Sequence, residues 1–268
     1  MFNAVSLVTK EIVSNFRRTT KLALYEVKTQ NSGTVFGVAW NFINPGMQIL
    51  VYWFVFAIGL NAADPRGGYP YIIWMMVGII PWFYIGNTLT TSMMSIHSYS
   101  GVLKRIYLPL AIVPVKTVMA MFFSHIGAML IVFVLFLVAG YALSWGAIWV
   151  LYYMLCSLVF LSGYALLMSA LNVLFRDLQK MMSSVIRLLF YITPVVWVQD
   201  NLPQNLQQFL KLNPLAYIIT GYRNSILYGS SVAFNWRQGL YFWGFSLVLF
   251  LIGCSVHVKF RKQFIDLI

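Results

Sequence analysis

The chain predicts an all-α integral membrane protein: six transmembrane helices, an amphipathic N-terminal helix lying on the membrane surface, and re-entrant helices between spans five and six. Three observations carry this. Of 268 residues, 60% are hydrophobic, 17% aromatic and only 9% charged, whereas an ordinary soluble domain is roughly 25% charged. The apolar runs mostly exceed about 18 residues and lack strand-like alternation, so they read as helices and not as barrel strands. The 18 Lys and Arg are also unevenly spread. With the N-terminus inside, twelve fall in cytoplasmic segments, four (Arg66, Lys211, Arg223, Arg237) fall outside, and Lys116 and Arg187 lie at or within span ends. Positive-inside bias therefore predicts that both termini are cytoplasmic.

The first 34 residues read as a cytoplasmic interface helix and linker, and 35–268 as the transmembrane domain. At about 100° per residue, Val5, Val8, Ile12, Phe16, Ala23 and Val27 share one face, and Lys10, Arg17, Lys21 and Lys28 share the other. The bland reading is an anchor that grips acidic lipids. The sharper one is that the basic row also meets an anionic substrate headgroup. A net charge of +12 is then a matter of topology and headgroup attraction, not of nucleic acid.

Span one is expected over 35–60. Asn41, Asn44-Pro45-Gly46 and Gln48 predict a kink and a face turned to protein or water, because amides are costly against lipid. Phe36, Trp40, Met47, Val51 and Phe54 recur at helical spacing, which fits helix packing and, alternatively, a channel lining. The run is not a signal peptide: it starts late, exceeds the length of a signal's apolar core and has no small-residue cleavage site. Span two, 71–96, holds Gly78, Pro81 and a hydroxyl-rich end at Thr88 to Ser92 that suggests close helix contacts. The basic, Pro-stopped segment Leu103-Lys104-Arg105 to Pro109 is either a docking site for a cytoplasmic partner or a plain connection. Span three is expected over 111–141, with His125 in a helix–helix hydrogen bond, and span four over 147–172. Cys156 and Cys254 lie inside apolar runs with no partner at CxxC spacing, so no disulfide is implied.

Span five, expected over 181–198, follows the charged turn Arg176-Asp177. Arg176, Lys180 and Arg187 share a helix face, either as a basic track for an anionic group or as side chains that snorkel to the headgroups. The stretch 203–228, with Asn213-Pro214, Tyr222 and Arg223, is apolar yet too broken to span, and irregular backbone survives at membrane depth only beside protein or water. Span six is expected over 239–258. No GxxxxGK[ST] occurs, so no phosphate-cradling loop is present. HExxH, GxSxG and paired intramembrane carboxylates are missing too, which argues against a protease, a hydrolase or a proton-driven carrier.

The phrases VFGVAWNFINPGMQILVYWFVF, RDLQKMMSSVIRLLFYITPVVW and LKLNPLAYIITGYRNSILYG, in this order and with the six spans, resemble the permeases of ABC-2 polysaccharide exporters, and within them the teichoic acid translocation permeases. The resemblance implies a homodimer in the cell membrane, powered by two copies of a separate cytoplasmic ATP-binding subunit. That subunit carries ATP and Mg; this chain binds no cofactor and is not itself an enzyme. The implied cargo is a polyprenyl-pyrophosphate-linked polymer. It further implies ATPase docking at Leu103, Lys104, Arg105, Arg176 and Asp177, and a substrate headgroup met by Lys10, Arg17, Lys21, Lys28 and Arg187. Channel lining falls to Phe36, Trp40, Phe190, Tyr191 and Trp197, and an external gate to Asn213, Pro214, Tyr222 and Arg223. Two rival readings are an ABC-2 exporter of another cargo (O-antigen, capsule or a small lipophilic compound) and a membrane scaffold with no transport role.

Overall fold

The structure is a computed structural model that describes residues 2–30, 32–59, 68–103, 108–175, 177–199, 202–229 and 235–267. Among these, all regular structure is helical. Five helical segments are long and apolar enough to cross a membrane: Gly37–Gly59, Tyr71–Met93, Ile112–Val138, Trp145–Leu174 and Trp236–Arg261.

The N-terminal segment, expected as one helix, is two. Helix α1 (Phe2–Ser14) and α2 (Phe16–Thr29) break at Asn15, whose side-chain amide donates to the Glu11 carbonyl at 3.0 Å. A short polar side chain that bonds nearby backbone competes with the helix in this way. The predicted apolar face does point inward: Val8 and Ala23 are fully buried. Phe16, at the break, is 57% exposed. Lys10, Arg17, Lys21 and Lys28 are all exposed.

Span one comprises a 3-10 turn, Gly37–Ala39, helix α3 (Trp40–Trp53) and a π-helical turn, Phe54–Gly59. Helix α4 (Tyr71–Met93) and two short helices, α5 (Ser95–Ser98) and α6 (Ser100–Leu103), follow. Helix α7 (Ile112–Val138) and α8 (Trp149–Leu174) complete the first four crossings. The last helix of the chain, Trp236–Leu267, packs along α8. There a Cβ on Gly253 would lie 2.7 Å from the Gly163 carbonyl oxygen. Glycines at the crossing let the two backbones approach, which is how helices gain packing energy in lipid. Cys156 and Cys254 are buried free thiols.

The fifth span departs from expectation. Helix α9 (Leu178–Ile192) has 15 residues, about 22 Å, against a hydrocarbon core of roughly 30 Å. It stops because Thr193 precedes a proline, and a residue before proline is pushed out of the helical region; Thr193 is extended at φ −78, ψ 136. The turn Thr193 to Val196 is nevertheless buried, and the Tyr71 hydroxyl at the start of α4 donates to the Val196 carbonyl. A short helix plus a buried turn thus reaches the far end of α4. Beyond it come α10 (Gln204–Leu210), α11 (Pro214–Arg223) and a π-helical turn, Asn224–Tyr228. The final helix of the chain is α12.

Arg261 Nη1 of α12 donates to Glu11 Oε1 of α1 at 2.7 Å. The kinked N-terminal helix pair, called the hairpin only for its break at Asn15, and the end of the last helix therefore lie at one end of the bundle, here the basal end. The 204–228 helices lie at the distal end.

Candidate functional site

Three regions hold the residues that the sequence singled out. The first is an open face of span one and α9. Phe36, Met47, Val51 and Phe54 are 58%, 59%, 59% and 61% exposed, with Asn44 and Gln48 exposed among them. Phe36 meets Trp40 edge to face at 5.6 Å. Among the described residues nothing covers these four side chains, so packing within the chain does not account for them, while Trp40 of the same stripe is half-buried. On α9, Lys180, Arg187, Leu188 and Tyr191 are exposed as well. Arg187 Nη2 reaches only Ser184 Oγ, at 3.3 Å, and makes no ion pair among the described residues. The two elements meet where Tyr52 of α3 touches Phe190 of α9 at 5.4 Å, with Trp82 of α4 behind Phe190 at 5.6 Å.

Phe190, expected beside Tyr191 as lining, is instead buried in that contact. Adjacent residues on a helix point about 100° apart, so only one of the pair can face outward. Trp197 is half-buried and folds back, its indole N–H donating to the Tyr191 carbonyl at 2.9 Å.

The second region is a distal clasp. Arg223, expected at the external gate and counted among exterior charges, is 4% exposed. Its guanidinium donates to the carbonyls of Trp74, Pro194 and Val195 and lies 3.5 Å from the Trp74 ring centroid. It lies against Gly78 of α4: a Cβ there would fall 2.1 Å from Arg223 Nη2. Asn213 works on the same turn. Its amide donates to Thr193 Oγ1 at 2.9 Å, while its Oδ1 accepts the Leu215 N–H at 3.0 Å and caps α11, with Pro214 at the first helical position. Tyr222 is fully buried and bonds His125 Nε2 at 2.9 Å. This is the helix–helix bond expected of His125, with Tyr84 stacked on its other side at 4.7 Å. Arg223 and Asn213 therefore hold α9's end to α4 and α11, and Tyr222 holds α11 to α7, while Asn213 and Pro214 stay half-buried. One arginine with a planar fork satisfies the Pro194 and Val195 carbonyls of the turn that ends α9 and also reaches the Trp74 carbonyl of α4.

The third region is basal. Lys116 of α7, 4% exposed at its side chain, pairs with Glu26 of α2 and sits 3.9 Å above the Tyr99 ring. Burial, then the Glu26 carboxylate, raises the Tyr99 phenol above its ordinary value, so the ring under Lys116 stays neutral. Glu11 and Glu26, two of the chain's six acids, thus tie the hairpin to α12 and α7. Sequence reasoning missed both; the available signal was their scarcity beside 18 bases. Asp177 is exposed at the start of α9 and Leu103 is half-buried. Lys104, Arg105 and Arg176 lie outside the described residues. Among the described residues no group of His, Cys, Asp and Glu could hold a metal.

A family model described as ABC-2 type transporter matches residues 20–227. An O-antigen export system permease protein of Klebsiella pneumoniae is 25% identical over 244 residues, covering 91% of this chain and 92% of the relative. One from Myxococcus xanthus is 27% identical over 202 residues, covering 74% and 75%. A polysialic acid transport protein of Escherichia coli is 22% identical over 252 residues, covering 88% and 90%.

Proposed function

The chain belongs to the ABC-2 type transporter family, and we propose that it is the membrane subunit of an ATP-driven exporter of a lipid-linked polysaccharide. The relatives above are named for O-antigen and polysialic acid transport, which favours a cargo of that kind over the teichoic acid that the sequence resemblance implied. The observation that carries the mechanism is the open face of span one, only 6% buried over its most apolar window yet studded with amides. Amides facing bare lipid would be costly. A second copy across that face, with a path between, gives them protein and water instead.

In that arrangement, Trp40, Tyr191 and Trp197 offer flat apolar walls to sugar C–H faces, giving many weak contacts that a moving polymer can slide along. Arg187, with the basic residues of the hairpin, attracts the pyrophosphate of the cargo. Both termini are cytoplasmic; the basal ion pair between Glu11 and Arg261 puts them at one end, and the burial of Arg223 removes one charge from the exterior count. The segment from Leu103 to Pro109 and the turn at Arg176-Asp177 receive a separate ATP-binding subunit.

The test is Met47→Cys, whose side chain sits on the open face. Oxidation in native membranes should join two copies, and the dimer should co-purify with the ATP-binding protein encoded beside it and raise its ATPase rate when lipid-linked polymer is added. No crosslink from any open-face position, together with an indifferent ATPase, would overturn the reading.

A further inference from the structure

We propose that the groove behind the basal hairpin is a binding site for one anionic phospholipid of the leaflet on which the hairpin lies, its acyl chain inside and its phosphate on Arg17 and Lys21. The groove measures about 630 Å³ and is walled by Val13 and Phe16 of the hairpin, Met119 and Phe122 of α7, Leu158 of α8 and Phe250 of α12, a volume within the range of ligand pockets.

Its chemistry asks for an apolar guest. Three of the lining hydroxyls are already turned back on their own helices: Thr9 to the Val5 carbonyl at 2.7 Å, Thr20 to Phe16 at 2.9 Å and Ser162 to Leu158 at 2.7 Å. No charged side chain lines it. Its depth fits one leaflet. The α7 wall runs from Val115 to Phe123, a rise of about 12 Å, beside roughly 15 Å for half the hydrocarbon core. A second groove of about 630 Å³ begins where the first ends, sharing Phe122 and Leu158, and continues between α7 and α8 towards the distal end. The boundary between the two, at Phe122, falls near the middle of α7.

The mouth supplies the charge. Val13 and Phe16, 74% and 57% exposed, are apolar side chains at headgroup level. Arg17 and Lys21 follow Phe16 and Thr20 by one residue each, about 100° round the helix, and are exposed. Cations near the headgroups each favour an anionic lipid by about fivefold. The distal groove has no cation in its lining and serves as the internal control. A second copy docked by a twofold through the basal groove would set Arg17 and Lys21 against their own images, which argues for lipid as the occupant.

The site needs only the membrane placement of the chain; it gives Arg17 and Lys21 to a phospholipid where the export reading gives them to the cargo's pyrophosphate, and competition by polyprenyl phosphate tells the two apart. The full chain is reconstituted in phosphatidylcholine vesicles containing a minor share of phosphatidylglycerol, with a mid-chain photoreactive group on one lipid or the other, and labelled peptides are mapped. Phosphatidylglycerol label should concentrate on 115–123 and 246–250. The double variant R17Q/K21Q, whose side chains are exposed, should lower that label about tenfold or more and leave distal-groove labelling unchanged. Met119→Trp, which fills the groove, should lower basal label from either lipid; unchanged distal labelling shows that the variant is folded. Equal basal labelling by the two lipids, indifference to R17Q/K21Q, displacement by polyprenyl phosphate at equal concentration, or a crosslink between two copies through α7 would each overturn the assignment.

Discussion

Span one and α4 are both 23 residues long and equal in mean hydropathy, yet 6% of one and 67% of the other is buried over their most apolar windows. Hydropathy decides that a helix enters the membrane; it does not decide what the helix meets there. Helix α4 is surrounded by α7, α8, α9 and α11, and its small residue Gly78 makes room for a guanidinium. Span one touches its neighbours along one side, and its other side carries an aromatic and amide stripe that none of the described residues covers. A membrane helix can therefore look the same in composition and serve as the centre of a bundle or as its interface.

The sharpest way to break this comparison is to make one substitution in both helices. Gly78→Ala puts a Cβ 2.1 Å from Arg223 Nη2 and should displace the buried guanidinium, costing about 3 kcal/mol or more from its lost hydrogen bonds. Gly46→Ala meets nothing within 4 Å and should stabilise the single chain by up to about 1 kcal/mol through helix propensity. Thermal unfolding in detergent reads both, and equal shifts would erase the distinction. Arg223→Met should match Gly78→Ala in size and expose the 193–199 turn to protease.

Next in size is the basal end. Glu26→Gln leaves Lys116 buried without its partner and should cost about 2 kcal/mol, below the usual figure for a buried pair because Glu26 keeps some exposure. Glu11→Gln, at a pair where both side chains reach water, should cost about 1 kcal/mol or less. Accessibility of a cysteine on α2, scored against one on α1, separates loosening of the two halves of the hairpin. The smallest structural effect belongs to the open face. Arg187→Gln should leave stability within about 0.5 kcal/mol of the parent, as exposed sites do, while lowering export several-fold; Arg187→Lys should retain most of it. Equal export by both variants would restrict Arg187 to anchoring at the headgroups.

Much of the architecture was legible in order. Five of the six expected spans lie within a few residues of the crossing helices, because a long apolar run has one stable fate in lipid. The amphipathic face of the hairpin was legible from its period, and His125 from the cost of leaving an imidazole alone in the membrane. Other features resisted for a common reason. Arg223 looked like an exterior charge because sequence shows a residue type and its neighbours, and its three carbonyl partners come from residues 28 to 149 positions away. Phe190 and Tyr191 are alike as letters, and which of them turns to Tyr52 depends on how α9 is rotated.

Composition and periodicity thus determined that this chain is a helical membrane protein, where its apolar runs lie, and which face of its N-terminal helices turns inward. Those properties follow from water-to-lipid transfer, which each segment feels on its own. Only the tertiary structure decided that α9 ends early and is finished by a turn clasped by Arg223, that Glu11 and Glu26 fasten the hairpin, and that span one keeps a face open. Such outcomes depend on which groups satisfy one another across the bundle, and at membrane depth, where water cannot stand in for a missing partner, those pairings are settled by packing.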